Sequence, residues 1–236
     1  MRLDGLDLLE RFQESKDSDQ LLSHLSAHAK ELGFEYVCCG FQRPSSVRKP
    51  LLELLNAYPQ GWMDRYIEQN YVAVDPVVKT GKKEQYPILW NDALFASTPT
   101  LWSEARDVGL TAGVSQSCWG VNGGFGLLSL ARSSPAISAA EFRDVTTHLC
   151  WLGTITHHLM SSFNRPTGYS GEPVFLTPRE KEILQWSADG KTASEIGDIL
   201  CIAERTVNFH INNVLPKLGA TSKIQATVRA IRLGLI

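Results

Sequence analysis

Apolar residues recur along this chain with two periods, and the periods mark its elements. Steps of three and four put Leu6, Leu9 and Phe12, then Leu21, Leu22, Leu25 and Leu32, on single faces. That spacing predicts amphipathic helices over residues 4–14 and 18–32. Phe34 to Phe41 and Leu51 to Ala57 are short apolar runs that predict strands. Helical patterns follow over 60–69, 74–82 and 99–109, the second opened by Asp75-Pro76, and Pro87 to Trp90 reads as a short edge strand. Val114 to Val121 and Gly126 to Arg132 predict two more strands joined by Asn122-Gly123-Gly124, which has hairpin-turn chemistry. A long helix is expected from about Ser138 to Phe163. Helices flanking hairpin-like strands predict an antiparallel sheet covered on both faces, an α-β-α sandwich.

The pattern changes after residue 164. Residues 165–173 are rich in Pro, Gly and Ser, lack periodicity and are expected to be a linker. Residues 174–236 predict a separate all-α domain of three short helices closed by a fourth, so the fold class is α+β. Thr177-Pro178-Arg179-Glu180 and Thr192-Ala193-Ser194-Glu195 are two capping boxes. Cys201-Ile202-Ala203 is a tight turn into the third helix. There Val207, Ile211, Val214 and Leu218 share one stripe, while Arg205, Asn208, Phe209 and Asn212 project to the other side. Ala203 offers no side-chain cap, and Pro216 removes one backbone bond near the helix end. Ser222 to Leu233 predicts the fourth helix, with Ile224, Val228 and Ile231 on one face. A small helical bundle with a solvated polar face would share much of this pattern. The coincidence of two capping boxes, a short turn and an outward Arg/Asn/aromatic set points to a helix-turn-helix that enters a DNA major groove. Asn208 and Asn212 suit adenine edges, Arg205 a guanine or a phosphate, and Phe209 a thymine methyl. Lys191, Thr192 and Lys217 are expected to grip phosphate.

Charge sharpens this division. The chain of 236 residues has a net charge of −2, which argues against nonspecific nucleic-acid coating. From residue 174 onward eight Lys/Arg face six Asp/Glu, so only this part leans toward phosphate, and mildly. One copy should bind DNA weakly and with strong salt dependence, and useful affinity calls for a homodimer on an inverted-repeat operator. No run reaches the roughly 18 apolar residues of a membrane span, and Met1-Arg2-Leu3-Asp4 has no signal-peptide form. Five cysteines without paired spacing imply neither zinc nor a disulfide frame, so a cytoplasmic setting is expected. No cofactor is indicated.

Large rings concentrate in the front domain: Tyr58, Trp62, Tyr66, Tyr71, Trp90 and Trp102, with Asp75 and Ser129 among the polar residues near them. An aromatic-rich core would look the same. A ligand pocket is also mostly apolar with a few orienting polar groups. Trp donates, Asp accepts and Tyr does either, which suits a small amphiphile with an amide and a carbonyl. On the long helix Phe142, Val145, Leu149, Leu152, Thr156, Leu159 and Phe163 form a heptad-like seam. A helix lying on its own sheet wants the same stripe, and the two readings can coexist, since Trp151 and Ile155 add a second apolar flank.

Enzyme signatures such as GxSxG, a Walker loop, HExxH or GxGxxG do not occur. His157 and His158 are adjacent and point apart on a helix. Cys38 and Cys39 point to opposite faces of a strand, which argues against a redox pair. A phospho-acceptor receiver domain would want regular β/α alternation and an acidic cluster, and the front domain has neither. The remaining alternative is an interaction module that heterodimerises with other regulators and titrates them without productive DNA binding.

Two stretches resemble a known family. Leu176 to Leu184, Gly190-Lys191-Thr192, Glu195-Ile196 and Arg205 to Asn213 are similar to the LuxR-type DNA-binding domain. Asn56 to Trp62, Tyr66, Tyr71 to Pro76, Trp90 and Gly123 to Leu130 resemble the autoinducer domain of the same quorum-sensing regulators, the acyl-homoserine-lactone receptors. The resemblance implies that residues 1–164 bind an N-acyl-homoserine lactone and dimerise through the long helix. It implies that Trp62 donates to the lactone carbonyl, Asp75 accepts the amide N–H, and Tyr58 and Ser129 hold the amide carbonyl. Tyr66, Val77, Trp90, Leu101, Trp102 and Leu110 would line the ring and tail. The bulk of Trp102 argues for a medium tail of about eight carbons. RNA polymerase is a further partner to expect of such a regulator.

Overall fold

Asp17 accepts a hydrogen bond from the Gln20 backbone N–H at 2.9 Å and starts α2 (Ser18–Glu31). Gly33, at φ +84°, turns the chain out of it, a conformation that favours glycine. The computed structural model describes residues 5–43, 51–120, 124–163 and 174–236. The expected turn at Asn122-Gly123 and linker at 165–173 lie outside the described residues. The chain forms two compact units, the first ending at Arg165 and the second carrying Pro166–Ile236.

The first unit has a five-stranded sheet in the order β2-β1-β5-β4-β3, antiparallel throughout. Its strands are β1 (Tyr36–Arg43), β2 (Leu51–Asn56), β3 (Ile88–Leu89), β4 (Ala112–Trp119) and β5 (Phe125–Arg132). One face of the sheet presents Val37, Cys39, Val114, Leu128 and Leu130 to Phe12 of α1 (Gly5–Gln13), Leu21 and Leu25 of α2, and α6 (Ala139–Phe163). The other face is covered by α3 (Trp62–Glu68), α4 (Pro76–Gly81) and α5 (Pro99–Asp107), with a second core of Trp62, Tyr71, Val77, Leu101, Trp102 and Leu110. This is the expected α-β-α sandwich, with boundaries shifted by at most two residues. A 3₁₀ turn at Tyr71–Ala73 was not legible in the sequence, because three residues carry no period.

The heptad-like stripe of α6 is not a free seam. Val145, Leu149, Leu152, Thr156 and Leu159 are all buried within the unit's own core. Baring the four aliphatic side chains would forfeit about 2 kcal/mol each. The stripe is therefore committed to the sheet, as the reading of α6 as a helix on its own sheet expects, and a dimer contact through α6 would use another of its flanks.

The second unit consists of α7 (Pro178–Ala188), α8 (Ala193–Leu200), α9 (Glu204–Lys217) and α10 (Lys223–Arg232). Both capping boxes form as expected, at Thr177/Glu180 and Thr192/Glu195. Val207, Ile211, Val214 and Leu218 are 0–6% exposed and hold α9 to the rest of the unit. Gly197 is needed where α8 meets the turn: a Cβ there would lie 2.8 Å from the Ile202 carbonyl oxygen. Ala203 stands at the α9 N-cap without a side-chain bond, and α9 runs through Pro216. On α10 the Ile224, Val228 and Ile231 face points to solvent, while Ala226, Thr227 and Ala230 pack inward.

Candidate functional site

Alternation along the strands decides what faces the second layer. Cys38, Ser129 and Ser115 pair across β1, β5 and β4, so they share one face of the sheet. Between that face and α3, the 3₁₀ turn and α4 lies a cavity of about 430 Å³. Its lining includes Tyr58, Tyr66, Asp75, Val77, Trp90 and Ser129 of the residues expected from sequence. Trp62, Leu101, Trp102 and Leu110 are not in the lining. They are 1–8% exposed and form the wall behind it. Trp62 packs on Tyr66 and Tyr71, with ring centroids 6.1 and 6.4 Å away. Trp102 stacks on Phe95 at 4.4 Å and donates its N–H to Asp92 at 2.6 Å. It therefore does not set the cavity's length, and the sequence argument for tail length from its bulk does not hold.

Sequence reasoning missed much of the apolar lining, including Leu52, Leu54, Met63, Ile67, Val72 and Leu127. Strand parity from Ser129 would have found Leu127 and Phe125. Helical spacing from Tyr66 would have found Met63 and Asn70. Leu52, Ile67 and Val72 are 42–62% exposed and rim the opening.

The polar groups are few and placed. Asp75 is the N-cap of α4, and Pro76 follows it as the first helical residue. Its Oδ1 accepts from the Val77 backbone N–H at 2.8 Å, and its Oδ2 accepts from the Tyr66 hydroxyl at 2.7 Å. Burial raises the Asp75 carboxyl above its ordinary value, against the pull of those hydrogen bonds. Burial also raises the Tyr58 phenol well above its ordinary value, with the Ser129 hydroxyl beside it pulling the other way. Cys38 is pushed up to about 12 by burial, so its thiol is an inert wall group. Cys39 lies on the opposite face, in the core. The cavity thus offers a carboxylate acceptor and hydroxyl groups within an apolar lining.

The second site is the outward face of α9. Arg205, Asn208 and Asn212 are exposed there and Phe209 is 60% exposed. Thr192 is held in its capping box, and Lys191 lies 3.7 Å from Glu195. Lys217 departs from expectation: its Nζ lies 2.7 Å from both carboxylate oxygens of buried Glu180. Burial would raise Glu180, but Lys217 and the Thr177 backbone outweigh it and hold the carboxyl below its ordinary value. Lys217 therefore pins α9 to α7 instead of standing free for phosphate.

The comparisons with known proteins divide the chain at the same place. Residues 17–160 match the family described as Autoinducer binding domain, and residues 174–230 match Bacterial regulatory proteins, luxR family. The chain is 44% identical over 236 residues to the transcriptional activator protein SolR of Ralstonia solanacearum, covering 100% of each chain. It is 38% identical over 243 residues to the HTH-type quorum-sensing regulator RhlR of Pseudomonas aeruginosa, again covering 100% of each. The crystal structure of Escherichia coli SdiA superposes with a TM-score of 0.76 at 32% identity, over 97% of this chain and 96% of that one. SdiA in complex with octanoyl-rac-glycerol gives a TM-score of 0.73 at 30% identity, over 100% and 98%. The chain accordingly belongs to the LuxR family, as a quorum-sensing transcription regulator, not an enzyme, that joins an autoinducer-binding domain to a helix-turn-helix DNA-binding domain.

Proposed function

We propose that residues 1–164 enclose an N-acyl-homoserine lactone and that residues 174–236, joined through a linker at 165–173, bind an inverted-repeat operator as a homodimer. The observation that carries this reading is the polar set of the cavity. Asp75 suits an amide N–H, and the Tyr58 and Ser129 hydroxyls suit the amide carbonyl, all within an apolar wall. Val77 and Trp90 border the same space, and Trp62, Leu101, Trp102 and Leu110 support it from behind. A cavity of about 430 Å³ is near the small end of the range for small-molecule sites, roughly 300–1,000 Å³. That favours a medium tail, about eight carbons, over a long one. On α9, Asn208 and Asn212 read adenine edges, Arg205 a guanine or a phosphate, and Phe209 a thymine methyl, while Lys191 and Thr192 approach the backbone. Bound DNA then presents the regulator to RNA polymerase.

The test is a thermal titration of the full chain against N-acyl-homoserine lactones of four to twelve carbons, with octanoyl-rac-glycerol as the comparison ligand. A lactone at about 100 times its Kd should stabilise the protein by about 2.7 kcal/mol. The medium-chain lactone should outperform the glycerol ester, which has no amide N–H for Asp75. A shift with the ester and none with any lactone would assign the cavity to another acyl ligand.

A further inference from the structure

One short helix stands between the cavity and solvent. Met63, Tyr66 and Ile67 put one side of α3 on the cavity, and Ile67 is 62% exposed at its rim. Both ends of α3 turn on residues in the left-handed region. Gly61 precedes it at φ +80°, with no atom within 4 Å of where a Cβ would stand, and Asn70 follows it at φ +51°. Residues at the ends of an element are the ones that absorb the backbone rotation when it swings. α3 therefore has a hinge at each end and the cavity mouth along one side.

A second side of α3 is fastened. Arg65 Nε and Nη2 donate to the two carboxylate oxygens of Glu104 on α5, at 2.9 and 2.7 Å. The Tyr71 hydroxyl donates to Glu104 Oε2 at 2.9 Å. Arg65 and Tyr71 lie on opposite sides of Asn70, so one carboxylate grips both the helix and the 3₁₀ turn across the hinge. A lone exposed ion pair holds little, but a two-pronged guanidinium contact that shares its carboxylate with a phenol is the geometry in which such pairs do hold. The guanidinium and the phenol keep the Glu104 carboxyl below its ordinary value, so the fastening is charged at neutral pH. None of Arg65, Tyr71 and Glu104 borders the cavity. On the cavity side Tyr66 crosses the same hinge to Asp75 at 2.7 Å, where a ligand amide competes for the carboxylate. The outer fastening is the one that a ligand leaves alone.

We propose that Glu104 is a positioning residue that latches α3 shut over the cavity and sets how fast ligand enters and leaves, without touching the ligand. The gate rests on the acyl-ligand reading of the cavity given above and adds the route into it. With the latch closed, α3 cannot tilt about Gly61 and Asn70. With it open, the Met63–Ile67 side swings away and the mouth widens between α3 and Leu52 of β2. The latch makes the same contacts whether or not the cavity is filled, so weakening it raises the open fraction of both states alike. Entry and exit then quicken together and the affinity is preserved. A residue that merely shores up the cavity wall behaves otherwise: its loss speeds exit, leaves entry alone and weakens binding.

The experiment uses the full chain loaded with deuterated N-octanoyl-homoserine lactone. Dissociation is read by mass spectrometry during a chase with unlabelled lactone, affinity by equilibrium competition, and association from their ratio. Glu104→Gln keeps the size of the side chain and removes its charge. It should raise both rates about tenfold and leave Kd within about twofold. Arg65→Met should do the same, and the double variant no more than either, since each opens one latch. A neutral lactone carries no charge to screen, so added salt should quicken exchange in the wild type and not in Glu104→Gln. If neither variant folds, the wild-type salt series decides alone. A Glu104→Gln exchange rate equal to the wild type's, a Kd weakened in step with dissociation at unchanged association, or wild-type exchange indifferent to salt would overturn the gate while leaving the lactone reading intact. A wild type that binds octanoyl-rac-glycerol and no lactone would overturn the lactone reading alone, and the same rates are then read with the ester. A wild type that binds neither would overturn both.

Discussion

Asp75 accepts two hydrogen bonds that favour its charged form, and burial opposes both. As the N-cap of α4 it accepts from the Val77 backbone, and as a cavity group it accepts from Tyr66. Burial nevertheless raises its carboxyl above the ordinary 3.8. A raised folded-state pKa means that the group favours the fold most at pH below 3.8 and that this contribution is lost as pH climbs through the raised value. A ligand amide N–H reverses the preference, since it hydrogen-bonds the charged form. Lactone binding should therefore release protons at pH near the raised value, and affinity should rise with pH across that window. Calorimetry in two buffers of different ionisation enthalpy reads the release directly. Asp75→Asn should abolish it and weaken binding about tenfold, since a neutral acceptor replaces a charge-assisted one. Equal proton release from Asp75→Asn would move the titrating group elsewhere.

At the scale of elements, the helix-turn-helix depends on a strut as much as on caps. α9 begins at Ala203 with no side-chain cap and ends against α7 through Lys217 and Glu180. Lys217→Met keeps the stem and deletes the charge. It should destabilise the unit by about 1–2 kcal/mol, discounted because the Lys217 side chain is 36% exposed. The slope of log K against log salt for DNA binding should stay unchanged, whereas loss of a true phosphate contact lowers it by about 1. A reduced slope with an unaltered melting temperature would return Lys217 to the DNA interface. The sequence made the elements of this unit legible because capping boxes and the Val207–Leu218 stripe are local signals. It could not show Lys217 meeting Glu180, a contact between residues 37 positions apart. The front domain shows the same limit. Asp75-Pro76 announced a helix start and Cys38-Cys39 announced opposite faces. But Trp62 and Trp102 carry the same chemistry as Trp90, and only the three-dimensional arrangement puts one ring at the cavity and two behind it. Likewise, the stripe on α6 satisfies a sheet and a coiled coil equally well until the sheet is seen to cover it.

For the whole molecule, the question is what lets a weakly charged reader hold DNA. Residues 174–236 carry a net charge of only +2, too little for one copy to bind tightly at physiological salt. Two copies on adjoining half-sites multiply their affinities, provided that something couples them. Within residues 174–236, α10 carries an exposed apolar face. Ile224, Val228 and Ile231 are 75, 39 and 50% exposed at helical spacing, beside a core of Ala226 and Ala230. A two-fold axis through this helix would bury the same patch on both copies, as closed dimers do. Replacing Ile224 and Ile231 together by Asp places like charges against each other across such a contact and leaves the unit's own core untouched. Its melting temperature should barely move, since exposed substitutions typically stay within about 0.5 kcal/mol. Affinity for a full inverted repeat should fall at least about a hundredfold at fixed salt, while affinity for an isolated half-site stays within about twofold. Sedimentation of the isolated residues 174–236 on DNA would then show one copy per duplex where the wild type shows two. Two copies of the variant bound at wild-type affinity would place the coupling on another surface, because no charge-bearing version of this contact can close.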